Sequence, residues 1–221
     1  RVSGGPRCYP PAMLAHRDVI VRELRPADEA PAIELLADAF LDFPAMHLLV
    51  GDDSGSRDRL KRVFAMEFEP ASHLSALVAE LDSRIVGALT WVDSPGCSDF
   101  SANRMVRFIR IAGPRIVRTL RAFGRIERAH LRTPHRHLPT IGVAPELQST
   151  GIGHRLLEVF DAGCDRVGRP GYLETVRWAD PAMPSLERFY ERQGYTVATL
   201  IPMTAEWSVL TMFRPPAPAS G

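Results

Sequence analysis

In the run Leu138-Pro-Thr-Ile-Gly-Val143-Ala-Pro145-Glu-Leu-Gln148-Ser-Thr-Gly151-Ile-Gly153-His154-Arg155-Leu156, a short β-prone segment gives way to a glycine-bearing turn and then to a helix. Residues 138–143 read as a strand. Beyond the turn, Leu156, Phe160, Cys164 and Val167 recur at three- or four-residue steps and mark the apolar face of a helix that Gly168 ends. Residues 172–176 follow as a second strand. Two strands joined through a helix lie parallel, with a right-handed crossover. The turn carries chemistry as well. Its glycines allow close approach to the backbone, and the first N–H groups of the helix have no partner inside it. With the positive end of the helix dipole, those groups suit a phosphate or pyrophosphate and need no lysine. Taken alone, Gly-x-Gly at a strand–helix junction is a weak signal and reads first as a plain structural turn.

Working outward, residues 1–17 carry proline and glycine breaks and read as a flexible N-terminal arm, with Met13 a candidate start. Residues 19–24 form a short strand closed by Arg25-Pro26. Residues 27–40 place Ile33, Leu36, Ala37 and Phe40 at helical spacing, with Asp28 as a cap, and a second helix covers residues 57–68. Residues 76–81 and 84–92 are strands joined as a hairpin by Asp82-Ser83. Towards the C-terminus, a helix over residues 183–193 stops at Gly194, and residues 195–202 and 207–213 read as closing strands. The Pro- and Ala-rich residues 214–221 read as a disordered tail. One α/β domain over residues 18–213 is expected.

Composition narrows the class. A chain of 221 residues with 45% hydrophobic residues can bury a core without disulfide staples. A charged fraction of 24% and a net charge of +1 argue against a disordered chain and against a uniformly basic nucleic-acid coat. No apolar run approaches the ~18 residues of a membrane span, and the N-terminal residues lack the apolar centre of a secretory signal. A cytoplasmic protein is expected. Cys8, Cys97 and Cys164 are odd in number and form neither a CxxC nor a Cys/His cluster, so reduced thiols and no metal are expected. Charge is segregated: the Arg-rich helical insert 101–136, broken at Gly113-Pro114, has ten arginines against Glu127 and carries +9, leaving −8 on the remainder.

The pattern Val143-x-Pro145-x-x-Gln148-x-x-Gly151-x-Gly153 resembles the acetyl-CoA-binding segment of the GCN5-related N-acetyltransferase (GNAT) superfamily. Downstream, Phe189-Tyr190-Glu-Arg-Gln-Gly194-Tyr195 resembles that superfamily's FYxxxGF signature. The resemblance spans nearly all of the chain except its tails. Within the superfamily, the wording of residues 137–143, Leu173-Glu174-Thr175 and the ending at 207–212 look most like the puromycin N-acetyltransferase-like branch. The fold implied is a mixed, mostly antiparallel twisted sheet flanked by helices, whose parallel strands splay to admit coenzyme A.

Site roles follow from the resemblance. Backbone N–H groups of Gln148, Ser149, Thr150, Gly151, Ile152, Gly153 and His154 would hold the pyrophosphate, and Ile141 and Val143 would pair with the pantetheine arm. Tyr190 matches the tyrosine near the coenzyme sulfur and is the candidate general acid; otherwise it is a core aromatic. Many members carry an asparagine just before this helix, and here Ser185 stands in its place within Asp180-Pro-Ala-Met-Pro-Ser185. An amine must lose a proton before it attacks a thioester. His137, eleven residues before Gln148, is one candidate base. Glu174, a carboxylate inside a buried strand, is the other, with a salt bridge to Arg177 or Arg155 as its structural alternative.

The acceptor side is expected from Phe40 and Phe43, near the first helices, and from Trp91 and Trp178 at strand ends. The reaction expected is acetyl transfer to a primary amine of a small molecule. A protein amine, or an acyl-CoA sensor without turnover, are the alternatives. Nucleic acid is disfavoured as a partner because the arginine stripe has only Phe108 and Phe123 as aromatics and no recognised binding motif. A solvated helical face, or pairing with the acidic remainder or with a second subunit in a homodimer, explains that stripe better.

Overall fold

The computed structural model describes residues 19–94, 102–183 and 185–218; the expected N-terminal arm, Cys8, Met13 and Cys97 lie outside the described residues. In chain order the elements are β1 (Ile20–Glu23), α1 (Glu29–Ala39), α2 (Pro44–Val50), α3 (Ser56–Glu67), β2 (Ser75–Leu81), β3 (Arg84–Ser94), α4 (Ala102–Ala112), α5 (Ile116–Ala129), β4 (His135–Val143), α6 (Ile152–Val167), β5 (Gly171–Trp178), α7 (Glu187–Glu191), β6 (Thr196–Pro202) and β7 (Trp207–Arg214). The hairpin between β2 and β3 turns on Asp82 and Ser83, both left-handed at φ 49° and 60°, which matches the twist of the flanking strands.

Four differences from the sequence reading have physical causes. The seven-residue α2, led by Pro44, buries Leu48, Leu49 and Val50 in succession, so no helical period could show. The helical part of the insert stops at Ala129 and β4 already starts at His135, ahead of the apolar run that marked it. The helix expected over residues 183–193 is only Glu187–Glu191, in keeping with the prolines that precede it. The expected tail starts too early: Arg214 closes β7, its guanidinium holds Asp165 at 2.8 Å, and Ala217 N–H donates to the same carboxylate at 2.8 Å.

The seven strands make one sheet in the order β1-β2-β3-β4-β5-β7-β6. All pairings are antiparallel except β4–β5. One face packs on α6 through Leu77, Leu89, Leu138, Leu156, Phe160 and Leu173. The other carries α1, α3 and α4 through Leu36, Leu60, Phe64, Val78, Ala88 and Ile111. A smaller cluster of Leu48, Val176, Ile201, Trp207 and Val209 seats α2 and α5 over the β5–β7–β6 end. Cys164 is a free, buried thiol whose pKa burial pushes up to about 12, so it is inert packing.

Two irregularities of β4 create the site. Its parallel pairing with β5 covers only Arg136–Gly171, His137–Tyr172 and Leu138–Leu173, after which the strands part. Against β3, the step from His137 to Thr140 lies opposite the shorter step from Val92 to Thr90, so β4 carries one extra residue around Pro139. Such a bulge reverses which edge the following backbone groups face, and proline is tolerated there because it has no N–H to lose. Ala144 N–H donates to Val86 on the β3 side at 3.0 Å. By alternation, the backbone of Ile141 and Val143 therefore faces the gap.

Candidate active site

The splay opens into a cleft of about 1630 Å³. A single small ligand fills ~300–1,000 Å³, so this cleft has room for two substrates. Along β4, His137 and Val143 stand ~20 Å apart, which gives the cleft two ends.

At the Val143 end, Gln148, Ser149, Gly151, Gly153 and His154 line the cleft beside Leu186, Phe189 and Tyr190. Ser149 and Gly151 take left-handed conformations, φ 63° and 90°, and fold the chain sharply into α6. The Thr150 hydroxyl donates to Leu147 O at 2.6 Å and steadies that loop, while Ile152 is buried in the core. Neither side chain reaches the cleft, so only their backbone can act there. A Cβ on Gly153 would meet Phe189 and Val143 at an ordinary 3.7 Å. The fold itself does not demand this glycine, whereas Gly151 is required by its φ. The His154 ring is held between Gln193 and Glu158. Arg192, which the motif did not single out, adds a cation to the lining. Ser185 does not line the cleft: it is exposed, and its hydroxyl accepts the Glu187 N–H at 3.2 Å at the start of α7.

Tyr190 is 3% exposed, packs edge-on against Phe189 and Tyr195, and lines the same cleft. Burial raises its hydroxyl well above the ordinary tyrosine range, so the group keeps its proton. It is both a core aromatic and a cleft residue.

At the other end, the two rival bases prove to be bonded partners. His137 Nε2 lies 2.7 Å from Glu174 Oε2, and His130 Nδ1 lies 3.3 Å from Oε1. Burial alone would raise the Glu174 carboxyl, but the His137 charge and the contacts with both imidazoles outweigh it and hold the carboxyl well below the usual range. The salt bridge considered for Glu174 does not form, because Arg177 pairs with Glu187. His130 in turn faces His135 Nε2 at 3.1 Å, and His135 Nδ1 faces Thr133 O at 2.8 Å. The Tyr172 ring backs the group, 4.6 Å from His130 and 5.4 Å from His137. Among the described residues, His130, His137 and Glu174 each bring one ligand atom within 4.8 Å of the others, a cluster that spacing along the chain did not reveal.

Apolar walls complete this end. Met46 comes from α2, Phe40 and Phe43 from its junction with α1, and Leu120, Phe123 and Ile126 from α5. The Arg-rich insert is thus more than a solvated face: one side of α5 is cleft wall. Of its arginines, Arg107 pairs with Glu69, Arg115 with Asp53 and Arg136 with Asp93, while Arg104 and Arg132 join the cleft lining. Two expected residues are elsewhere. Trp91 lies on the α6 face, 6.4 Å from Phe160, and Trp178 packs in the cluster beneath α2 and α5.

Glu67, missed from the sequence, also lines the cleft. Both its oxygens accept hydroxyls, from Thr90 at 3.0 Å and Thr140 at 2.9 Å. Burial nevertheless raises its pKa to about 7. Its signal was the spacing Leu60, Phe64, Glu67, which sets a carboxylate on the buried stripe of α3.

Among the described residues, no helix is long and apolar enough to cross a membrane. Solved structures with this arrangement are known. A histone acetyltransferase HPA2 and related acetyltransferase from Corynebacterium glutamicum superposes with a TM-score of 0.68 at 22% identity, over 92% of this chain and 99% of that one. The ribosomal-protein-S18-alanine N-acetyltransferase of Escherichia coli gives 0.54 at 17% identity, over 91% and 96%. The PaiA N-acetyltransferase of Thermoplasma acidophilum, solved in complex with coenzyme A, gives 0.51 at 15% identity, over 89% and 98%. At such identities these likenesses speak for the fold alone. The model of the acetyltransferase (GNAT) family matches residues 33–195, most of the chain, and with the splayed strands and the glycine turn already described this protein belongs to that family.

Proposed function

We propose that the protein transfers the acetyl group of acetyl-CoA directly to a primary amine of a small molecule. The observation that carries this reading is the His137–Glu174 pair, set in the same cleft as the glycine turn of α6. The Ile152, Gly153 and His154 N–H groups, free of partners within the helix, receive the pyrophosphate, with Arg192 adding charge. The gap-facing backbone of Ile141 and Val143 takes the pantetheine amides as a strand would, so the thioester comes to lie beyond them, towards His137.

The proton steps fall to side chains. Glu174 accepts His137 Nε2–H and so leaves the Nδ1 lone pair of His137 to take the proton of the attacking amine. The Tyr190 hydroxyl, kept protonated by burial, donates to the departing thiolate. Apolar walls at Phe40, Phe43, Leu120 and Phe123, with Glu67 and Glu127 nearby in the lining, suit an amphiphilic amine. The resemblance to the puromycin N-acetyltransferase-like branch supports the same acceptor class.

The test is release of coenzyme A thiol with a panel of small primary amines, peptide N-termini and lysine peptides. Turnover with small amines, lost in His137→Ala, is expected. Turnover confined to peptides would move the acceptor to protein amines, and coenzyme binding without turnover on any amine would favour a sensor.

A further inference from the structure

The imidazoles around Glu174 leave a count that does not close. Three contacts run in a row: Thr133 O to His135 at 2.8 Å, His135 to His130 at 3.1 Å, and His130 to Glu174 at 3.3 Å. A carbonyl and an ionised carboxylate only accept, so each contact requires a hydrogen supplied by a ring. Two neutral imidazoles supply two. A change of tautomer moves a ring's hydrogen from one nitrogen to the other without changing that total. One contact therefore sets two lone pairs face to face, which is costly in a half-buried site. If His135 donates to Thr133 and His130 Nε2–H donates to His135, the deficit falls between His130 Nδ1 and Glu174. His137 Nε2 is the third atom at that point. A cation seated there satisfies all of them.

We propose that His130, His137 and Glu174 form a binding site for a divalent transition-metal cation of the zinc type, and that its occupation withdraws His137 from acetyl transfer. Two imidazoles and one carboxylate are a donor set suited to zinc and its neighbours, and the open cleft leaves the fourth position to water. Donor atoms around zinc stand about 3.4 Å apart in a tetrahedron. The three atoms here, within 4.8 Å of one another, need only side-chain rotation to reach that spacing. The outer partners are also in place. A metal-bound His130 Nδ1 leaves Nε2–H to donate to His135, which donates to Thr133, so the ring nitrogens of both residues are used.

The metal site stands independently of the proposed reaction; only the withdrawal of the base rests on it. The experiment is calorimetric titration of Zn²⁺ into the untagged, chelator-stripped full chain, repeated with Glu174→Gln, His130→Ala and His135→Gln, each checked for folding by circular dichroism. One equivalent should bind to the wild type, with affinity at least tenfold weaker in the first two variants and about 10–100-fold weaker in the third. Co²⁺ should give the visible absorption of a four-coordinate ion. No stoichiometric binding, or binding indifferent to these substitutions, overturns the site and leaves an extra proton as the cation that closes the count. Zinc should also stop amine acetylation over the concentration range in which it binds, reversibly with chelator. Binding with turnover untouched overturns the withdrawal of His137. Binding by a protein that acetylates no amine refutes the reaction and leaves the metal site standing.

Discussion

The two ends of the cleft are built from different materials. The end at Val143 is made of backbone: the gap-facing edge of β4 beyond its bulge, and the N–H groups at the start of α6. The end at His137 is made of side chains delivered by α1, α2, α3, α5, β4 and β5, which meet only when the chain folds. A site of backbone groups can be written in one contiguous stretch, because glycine, proline and a helix start are local properties. A site of converging side chains has no local grammar. The comparison also separates duties: the backbone groups of one end should govern coenzyme affinity, the side chains of the other choice of amine, and His137 and Tyr190 turnover.

Substitutions can break or sharpen that division. The largest effect is expected from His137→Ala, a fall in kcat of about 10²–10⁴-fold with acetyl-CoA affinity unchanged, read by steady-state kinetics beside calorimetry. Next, Gly153→Trp should weaken acetyl-CoA binding by roughly 100-fold or more while the melting temperature barely moves, because a Cβ there has ordinary room and only the larger ring enters the cleft. Gly151→Trp should lose both binding and stability, since φ 90° strains any side chain. That contrast makes Gly153 the cleaner probe. Tyr190→Phe should lower kcat roughly 10- to 100-fold and leave coenzyme binding intact.

Smaller effects test the acceptor end. Phe123→Ala should raise KM for the amine roughly three- to tenfold and leave that for acetyl-CoA alone, as expected for one lost apolar contact. Glu67 offers a test through stability. Native Glu67 keeps its proton up to about 7, against an ordinary 4.5, so in that window the folded state binds more protons than the unfolded one. Wild-type stability therefore falls as the pH rises through the window, and Glu67→Gln should gain on the wild type by on the order of 1–3 kcal/mol at its upper end. Thermal melts at both ends of the window check it.

Legibility in the sequence followed the same division. The glycine turn, the strands on either side of α6 and the hairpin at Asp82-Ser83 were readable because each depends on residues a few positions apart. His137 and Glu174 were readable as chemistry but not as a pair, since 37 positions separate them and only the short β4–β5 register joins them. His130 lay at the edge of an arginine-rich run and carried no pattern. Trp91 misled because alternation along β3 sets it with Leu89 on the α6 face, while Thr90 and Val92 turn to the other side. Trp178 misled because large aromatics at strand ends serve packing as readily as binding.

The most direct test of the division is calorimetric titration of acetyl-CoA into the wild type, His137→Ala and Gly153→Trp side by side. The account predicts equal binding by the first two and none by the third. Failure of the wild type to bind, or loss of binding in His137→Ala with Gly153→Trp unaffected, would contradict it.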